Sequence, residues 1–351
     1  MCWAWLLFAL VATVARLPQG DRFFLCLPKE SFQTATIQGL IRIKMGSLTS
    51  AVDQDAITNT TSTIDTSVNA MLFASSLPTG TPTAIGSTVC GIKKYIALQL
   101  ELHTTSYVHF INVPPAIVRR SDDHPIEIFG VKGARIHYDE GARDLIVKLL
   151  EKPHEVAHGA VTKKLLGQTL TMNLDSELSL DGATRVTSRG ISKEPDASFS
   201  PWTLPPGRSR QWPAVVVECG YSESTNHLRA MANLWISNSN GDVKVAIIIS
   251  IERPRAKIIL EKWVPMQTAR SMGPSLRTRG QHARCEQEIV ITRNEDGSAA
   301  ISGAPLVIHF EEMFLRALVP PNEHDFVITG ADLESIAREI WRAIAYLVSA
   351  Q

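Results

Sequence analysis

Ala214-Val215-Val216-Val217-Glu218-Cys219 is a nearly continuous apolar run that carries one acid near its end. A loop rich in Pro, Gly and Arg precedes it at residues 201–212. Apolar runs of this length between loop signals are typical of strands that are buried on both faces, as at the centre of an α/β sheet. We therefore expect a central strand here, with Glu218 at its exit.

The segments after this run alternate between helical and strand patterns. Residues 222–235 place Leu228, Ala232 and Trp235 on one helical face. Strands are expected at residues 243–251, 257–263 and 288–292, and a long amphipathic helix at residues 332–350. This alternation indicates a sheet that is covered by helices.

The segments before the central strand complete the pattern. Residues 134–138 and 144–149 flank a turn-forming Asp-Glu-Gly stretch and predict a hairpin. Pro153 suits the first turn of a helix whose apolar positions recur until about residue 173. Short strands follow at 184–188 and 196–199. The expected order is helix, three strands, helix, strand, which makes the fold class α/β with a mixed central sheet and a C-terminal helix.

The N-terminal part is less regular, and we divide the chain into an apolar leader (1–45), a Ser/Thr-rich, poorly defined segment (46–133) and an α/β domain (134–351). The run from Cys2 to Ala15 resembles the apolar part of a signal peptide, but no Lys or Arg precedes it. At about 14 residues it is short of the ~20 that span a bilayer. We expect no stable membrane insertion and an intracellular location, cytoplasmic or nuclear. Secretion is the alternative if the leader is a signal peptide.

Composition and motifs remove several classes of function. The 351 residues are 44% apolar, enough for a substantial core, and 35 Lys and Arg balance 35 Asp and Glu. A nucleic-acid partner would therefore need a local basic patch, for which Arg208, Arg210, Arg253, Arg255 and Lys257 are candidates. The five cysteines are scattered and indicate neither a disulfide framework nor a zinc knuckle. P-loop, dinucleotide-binding and nucleophile-elbow motifs are missing from the sequence.

Two acids stand where a metal site could form. Asp196 begins one short strand and Glu218 ends another, with 21 residues between them. Carboxylates on adjacent strands suit a hard divalent cation such as Mg²⁺, which stabilises charge on a scissile phosphate and activates water. A strand-ending acid is also commonly a solvated terminus or half of an ion pair, so the pair alone does not establish the chemistry.

Pro195-Asp196-Ala197-Ser198, with the strand that ends in Glu218-Cys219-Gly220-Tyr221, resembles the restriction-endonuclease-like PD-(D/E)XK superfamily. The likeness covers roughly residues 134–345 and is closest to a group of uncharacterised fungal proteins that are distantly similar to Uma-type endonuclease-like proteins. The resemblance implies a restriction-endonuclease-like core, a Mg²⁺ cofactor and hydrolysis of nucleic-acid phosphodiesters. Asp196 matches the first acid of the motif and Glu218 the second, both as catalytic residues and metal ligands. Glu155 matches an occasional accessory acid and is a third candidate catalytic residue.

The chain departs from this motif at Gly220. The motif expects a lysine there, two positions after the second acid, to hold the attacking water and neutralise developing charge. Arg229 on the following helix and Lys244 before the next strand are candidates for a displaced cation. Without one, the same fold would be a non-catalytic binding or scaffold module.

A rival motif lies at the start of the helix after the hairpin. His154-Glu155-Val156-Ala157-His158 matches H-E-x-x-H, in which two imidazoles bind zinc and the glutamate activates water. It predicts a zinc metalloprotease as a third function, with Glu177 as the candidate third ligand. Because Pro153 places His154 in the first helical turn, we favour the interpretation that both histidines are surface or capping residues.

Overall fold

The computed structural model describes residues 77–102, 106–188, 190–221, 225–252, 257–266 and 282–349. The apolar leader and the first part of the Ser/Thr-rich segment lie outside these residues. In chain order the helices and strands are β1 (Thr83–Ile85), α1 (Val89–Leu102), β2 (Tyr107–Ile111), α2 (Pro115–Asp123), α3 (Pro125–Phe129), β3 (Arg135–Asp139), β4 (Asp144–Lys148), α4 (Lys152–Thr171), β5 (Leu178–Leu180), β6 (Val186–Ser188), β7 (Ile191–Lys193), β8 (Ala197–Pro201), β9 (Val215–Tyr221), α5 (Thr225–Asn238), β10 (Val245–Glu252), β11 (Lys257–Pro265), β12 (Ala283–Arg293), β13 (Ala299–Ser302), β14 (Leu306–Ile308), α6 (Phe310–Phe314), β15 (Phe326–Ile328) and α7 (Gly330–Ser349).

The larger sheet has the strand order β13-β12-β11-β10-β9-β8-β5 and is mixed, which confirms the predicted fold class. β9 and β10 are parallel, while β8 pairs with β9 and β11 with β10 in the antiparallel sense. The connection between the two parallel strands runs through α5, as a parallel pair requires. β9 is therefore a central strand, as its apolar sequence predicts, and all seven of its residues are buried.

The two faces of β9 belong to different cores because successive side chains of a strand point in opposite directions. Val215 and Val217 lie in a buried cluster with apolar residues of α4 and α7. Val216 lies in another cluster with Trp235 of α5. Helices thus cover this sheet on both faces, which explains why the β9 sequence does not alternate between apolar and polar residues.

The second sheet has the order β1-β2-β4-β3-β7-β6 and is built mostly of short strands. It includes the predicted hairpin, in which β3 and β4 pair in antiparallel register. β1 and β2 precede residue 134 and the other strands follow it, so the predicted domain boundary falls within this sheet. Residues 83–129 pack their apolar side chains with those of the hairpin, including Phe110, Phe129 and Leu145.

One predicted strand differs from the structure in its sheet assignment. The strand expected at 184–188 is β6, which joins the second sheet, and the first strand of the larger sheet is instead β5. With β5 counted, the larger sheet keeps the predicted order of helix, three strands, helix, strand. β7 pairs in the antiparallel sense with both β6 and β3, and this placement decides where Lys193 lies.

The described part of the chain contains no helix that is long and apolar enough to cross a membrane.

Gly303 follows β13 at the edge of the larger sheet, where the chain packs closely against β12. Its φ is +83°, and a Cβ at this position would overlap the backbone carbonyl oxygen of Glu288. We expect Gly303→Ala to lower the free energy of unfolding by more than about 3 kcal/mol, because overlap adds to the cost of a left-handed backbone. Urea denaturation measures this change.

Gly297 is the matched control, since its φ is also +83° but the nearest atom to an added Cβ is Arg293 Nη2 at 3.8 Å. Gly297→Ala should cost only about 1–2 kcal/mol. Equal losses in the two variants would contradict the close approach at Gly303.

Candidate functional site

Asp196 lies just before β8, at the point where pairing between β8 and β9 begins. Its backbone N–H donates to the Val217 carbonyl at 3.1 Å. Its side chain continues the pairing with β9, because Oδ2 accepts a hydrogen bond from the Cys219 backbone N–H at 2.7 Å. The carboxylate is thereby held against the edge of the central strand, next to Glu218.

Two side chains from other elements also converge on Asp196 Oδ2. Lys148 Nζ at the end of β4 donates at 2.9 Å, and His154 Nε2 in the first turn of α4 lies at 2.9 Å. All three residues are buried. Burial alone would raise the pKa of Asp196, but the charges of His154 and Lys148 and the Cys219 N–H hold it well below its usual range. Asp196 is therefore a buried carboxylate anion.

Glu218 has its own buried lysine. Its Oε1 accepts hydrogen bonds from Lys193 Nζ at 2.8 Å and from Trp235 Nε1 at 2.6 Å. Lys193 also lies over the Trp235 ring, 5.1 Å from its centroid. Burial lowers the pKa of Lys193, and the neighbouring Glu218 and Asp196 charges oppose that shift. Glu218 is thus half of a buried ion pair rather than a solvated strand terminus.

The two lysines are the residues that sequence reasoning missed. Lys148 and Lys193 come from β4 and β7 of the second sheet, whereas the acids belong to the larger sheet. A lysine at the end of a short strand is normally read as exposed. The alternation of side chains along a strand is the signal that could have found Lys193. Ile191 is buried, and Lys193, two positions later, lies on the same face and is also buried.

Neither cation that was predicted to replace the missing lysine lies at the acids. Arg229 pairs with the buried Glu261, with its Nε 3.0 Å from Oε1. Lys244 Nζ donates to the Gly241 carbonyl at 2.6 Å. Gly220 itself pairs with Ser250 inside the parallel β9–β10 ladder. The cations that do lie at the two acids are Lys148 and Lys193, which come from β4 and β7.

These side chains can be compared with what Mg²⁺ requires. Asp196 Oδ1 is a buried oxygen without a hydrogen-bond partner and could serve as a ligand. However, Oδ2 already accepts three hydrogen bonds, and two ammonium groups neutralise the two carboxylates. Another two positive charges in this buried, balanced cluster would be unfavourable. As arranged, the residues do not fit Mg²⁺, and the magnesium site at Asp196 and Glu218 stays a prediction from the sequence.

The accessory acid Glu155 faces away from this cluster. Its Oε1 lies 3.4 Å from His154 Nδ1 and 3.4 Å from His158 Nε2, between the two imidazoles of the H-E-x-x-H motif. These contacts lower the pKa of Glu155. Glu177, the candidate third zinc ligand, is exposed beyond the end of α4 and is not part of this group. The structure therefore separates Glu155 from the acid pair but leaves it beside both histidines.

The predicted basic patch is divided among structural roles. Arg208 is largely buried and binds Asp242 Oδ2 at 2.8 Å, so it anchors its loop. Lys257 pairs with Glu252 at 3.7 Å, and Arg253 and Arg255 lie outside the described residues. Arg210 remains exposed, with its guanidinium carbon 5.9 Å from the centre of the Trp202 ring. Cys219 is fully buried, as its position in an apolar strand predicts.

Comparisons with known proteins add little to this geometry. No protein-family model matches the chain, and no curated protein matches it. Among solved structures, a protein from Anabaena variabilis described as "a putative nuclease belonging to DUF820" aligns with 57% of this chain and 90% of its own. The identity is 13% and the TM-score is 0.31. A likeness of this size carries no argument about the site or its chemistry.

The buried pair of Lys193 and Glu218 predicts a large, non-additive effect on stability. Lys193→Met leaves Glu218 buried beside Trp235 without its counter-charge, and we expect a loss of about 3–5 kcal/mol in the free energy of unfolding. The double variant with Glu218→Met should lose less than Lys193→Met alone, since both charges are then removed. Urea denaturation of the single and double variants measures the coupling.

Lys163 and Glu339 provide the matched control. Their ammonium and carboxylate groups are 2.9 Å apart, but the lysine side chain is 62% exposed. Lys163→Met should therefore cost less than about 1 kcal/mol. A loss of that size at Lys193 as well would contradict the assigned role of the buried pair.

Proposed function

We propose that this chain is a nuclease-like domain of the PD-(D/E)XK type that binds nucleic acid without cleaving it. The observation that carries the proposal is that both motif acids are bonded to buried lysines, with Lys148 on Asp196 and Lys193 on Glu218. In this arrangement the acids stabilise the junction between two sheets. The restriction-endonuclease-like core, the likeness to fungal and Uma-type proteins and the nucleic-acid partner all rest on the sequence resemblance.

The burial of the two acids supports the proposed absence of cleavage. Hydrolysis requires the scissile phosphate and the attacking water to reach the acids within a few ångströms. Asp196 and Glu218 are 2% and 3% exposed, and their lysine partners are also buried. Two clefts in the described part of the chain, one beside Arg208 and Lys244 and one beside Trp202 and Arg210, are lined by other residues. A phosphodiester would reach the acids only if the lysines were displaced.

A cleft at the edge of the larger sheet offers a surface for nucleic acid. It has a volume of about 370 Å³ and is bordered by Trp202, Arg210 and Trp212. Trp202 is 55% exposed, and Arg210 lies against its ring. Exposed aromatic rings beside arginine are platforms on which bases of single strands stack. Asp181 lies in the same cleft and accepts hydrogen bonds from Ser179 and Ser200. Because an acidic side chain repels a phosphate, this part of the cleft favours a base edge.

An active metal-dependent nuclease is the second candidate. Lys193 Nζ lies 2.8 Å from Glu218, so it supplies at the second acid the positive charge that Gly220 does not. Asp196 Oδ1 is buried and has no hydrogen-bond partner, which leaves one oxygen available. If the lysines moved when substrate bound, the same residues would become a catalytic set. Cleavage assays separate this candidate from the non-catalytic one.

The full chain should not cleave single-stranded or duplex DNA or RNA in the presence of Mg²⁺ or Mn²⁺, because the acids are neutralised and buried. End-labelled substrates on denaturing gels measure the cleavage. Asp196→Asn and Glu218→Gln, purified in the same way, reveal contaminating nucleases, whose activity would persist in both variants. Cleavage by the wild type that both substitutions remove would establish the active enzyme instead.

Trp202 should contribute to binding if the cleft holds a base. We expect Trp202→Ala to weaken binding of a fluorescent single-stranded oligonucleotide by roughly 5- to 150-fold, since stacking of one base is worth about 1–3 kcal/mol. Fluorescence anisotropy measures the affinity at fixed salt concentration. Trp202→Phe keeps an aromatic face and should retain most of the affinity. Binding that is equal in all three proteins would exclude this cleft, and no binding by the wild type would refute the proposed partner.

A further inference from the structure

The first turns of α4 bring three potential metal ligands together. Among the residues that the structure describes, His154, Glu155 and His158 are the only group of three or more His, Cys, Asp or Glu side chains whose donor atoms all lie within 4.8 Å of one another. His154 Nδ1 and His158 Nε2 are buried and have no hydrogen-bond partner. Buried imidazole nitrogens normally have such partners, so two of them aimed at one carboxylate require a cause.

The distances match the edges of a small coordination sphere. Glu155 Oε1 is 3.4 Å from His154 Nδ1 and 3.4 Å from His158 Nε2. In tetrahedral zinc sites the metal lies about 2.0–2.1 Å from nitrogen and oxygen ligands, which places neighbouring donors about 3.3–3.4 Å apart. Two of the three donor separations therefore already have the length that a bound ion would impose. The two imidazole rings lie edge to face, with their centroids 5.5 Å apart.

The other ring nitrogen of His154 has the partner that metal-bound histidines usually have. Nε2 lies 2.9 Å from Asp196 Oδ2, so the ring is held between the carboxylate of Asp196 on one side and that of Glu155 on the other. An Nε2–H that donates to Asp196 leaves Nδ1 as the nitrogen that faces the metal position. Although burial lowers the pKa of His154, Asp196 and Glu155 raise it overall, so a metal at Nδ1 competes with a proton there. Such carboxylate–histidine–metal arrangements fix the tautomer and orientation of the ligand.

We propose that His154 Nδ1, Glu155 Oε1 and His158 Nε2 bind one divalent transition-metal ion of the zinc class, with Asp196 as the positioning residue behind His154. Imidazole and carboxylate donors suit Zn²⁺ and Co²⁺. Glu155 is half-exposed, so the remaining coordination position opens towards solvent and takes water. In this site Glu155 is a ligand and not the general base that an H-E-x-x-H hydrolase requires.

Two positive groups near the site affect its affinity for a metal ion. Arg135 Nη2 is 3.9 Å from Glu155 Oε1 and competes with the metal for that carboxylate. Lys148 lies near His154, but Asp196 balances its charge. We therefore expect Arg135→Gln to strengthen metal binding. This site does not depend on nucleic-acid binding or on the absence of cleavage.

The test is titration of the metal-free full chain with Co²⁺, followed by visible absorption, and with Zn²⁺ in a calorimeter. The wild type should bind one equivalent. His158→Ala and Glu155→Gln, both near the surface, should abolish binding while circular dichroism shows an unchanged fold. Asp196→Asn should keep the stoichiometry and weaken the affinity about 10- to 100-fold, as removal of a partner behind a ligand does.

His124 and Glu127 form the matched control, since this exposed pair has the same types of side chain with its Nδ1 and Oε1 4.0 Å apart but contains no second histidine. His124→Ala and Glu127→Gln should leave the titration unchanged. The proposal is overturned if the wild type binds neither ion, or if binding persists in both His158→Ala and Glu155→Gln. Neither result bears on whether nucleic acid is bound or cleaved.

Discussion

The carboxylate of Asp196 is the constraint on which the rest of the site depends. It is buried and ionised, and an uncompensated buried charge would cost several kcal/mol. Its Oδ2 therefore accepts three hydrogen bonds, from Lys148 of the second sheet, from His154 of α4 and from the Cys219 N–H of the central strand. This single oxygen connects the two sheets and orients the first turn of α4.

That requirement gives the acid pair a role different from the one its motif implies. A nuclease acid must be accessible to a metal and a phosphate, and its negative charge must attract them. Here Lys148 and Lys193 neutralise Asp196 and Glu218, and all four side chains are buried. The two lysines thus hold both acids in buried ion pairs, an arrangement that stabilises the fold.

His154 connects the two motifs that the sequence presents as rivals. One ring nitrogen faces Asp196 of the nuclease-like motif, and the other faces Glu155 between the two histidines of H-E-x-x-H. His154 was expected to be a surface or capping residue, and the surface alternative was wrong, since its side chain is 3% exposed. Pro153 does lie in the first turn of the helix, as predicted, but both Pro153 and His154 are buried there. The two motifs thus form one continuous polar network through His154.

The sequence by itself determined the elements: the two-sided burial of β9, the helices α4, α5 and α7, and the placement of Asp196 and Glu218 on adjacent strands follow from local periodicity. Only the tertiary structure decided the chemistry around the acids. Lys148 and Lys193 reach them because β4 and β7 belong to a second sheet, and pairing between distant strands leaves no periodic signal in the chain. The boundary expected at residue 134 falls within this sheet for the same reason, since β2 pairs with β4 across it. The local sequence pattern indicates which side of a helix or strand is buried. Only the tertiary structure shows which charged groups lie against that side.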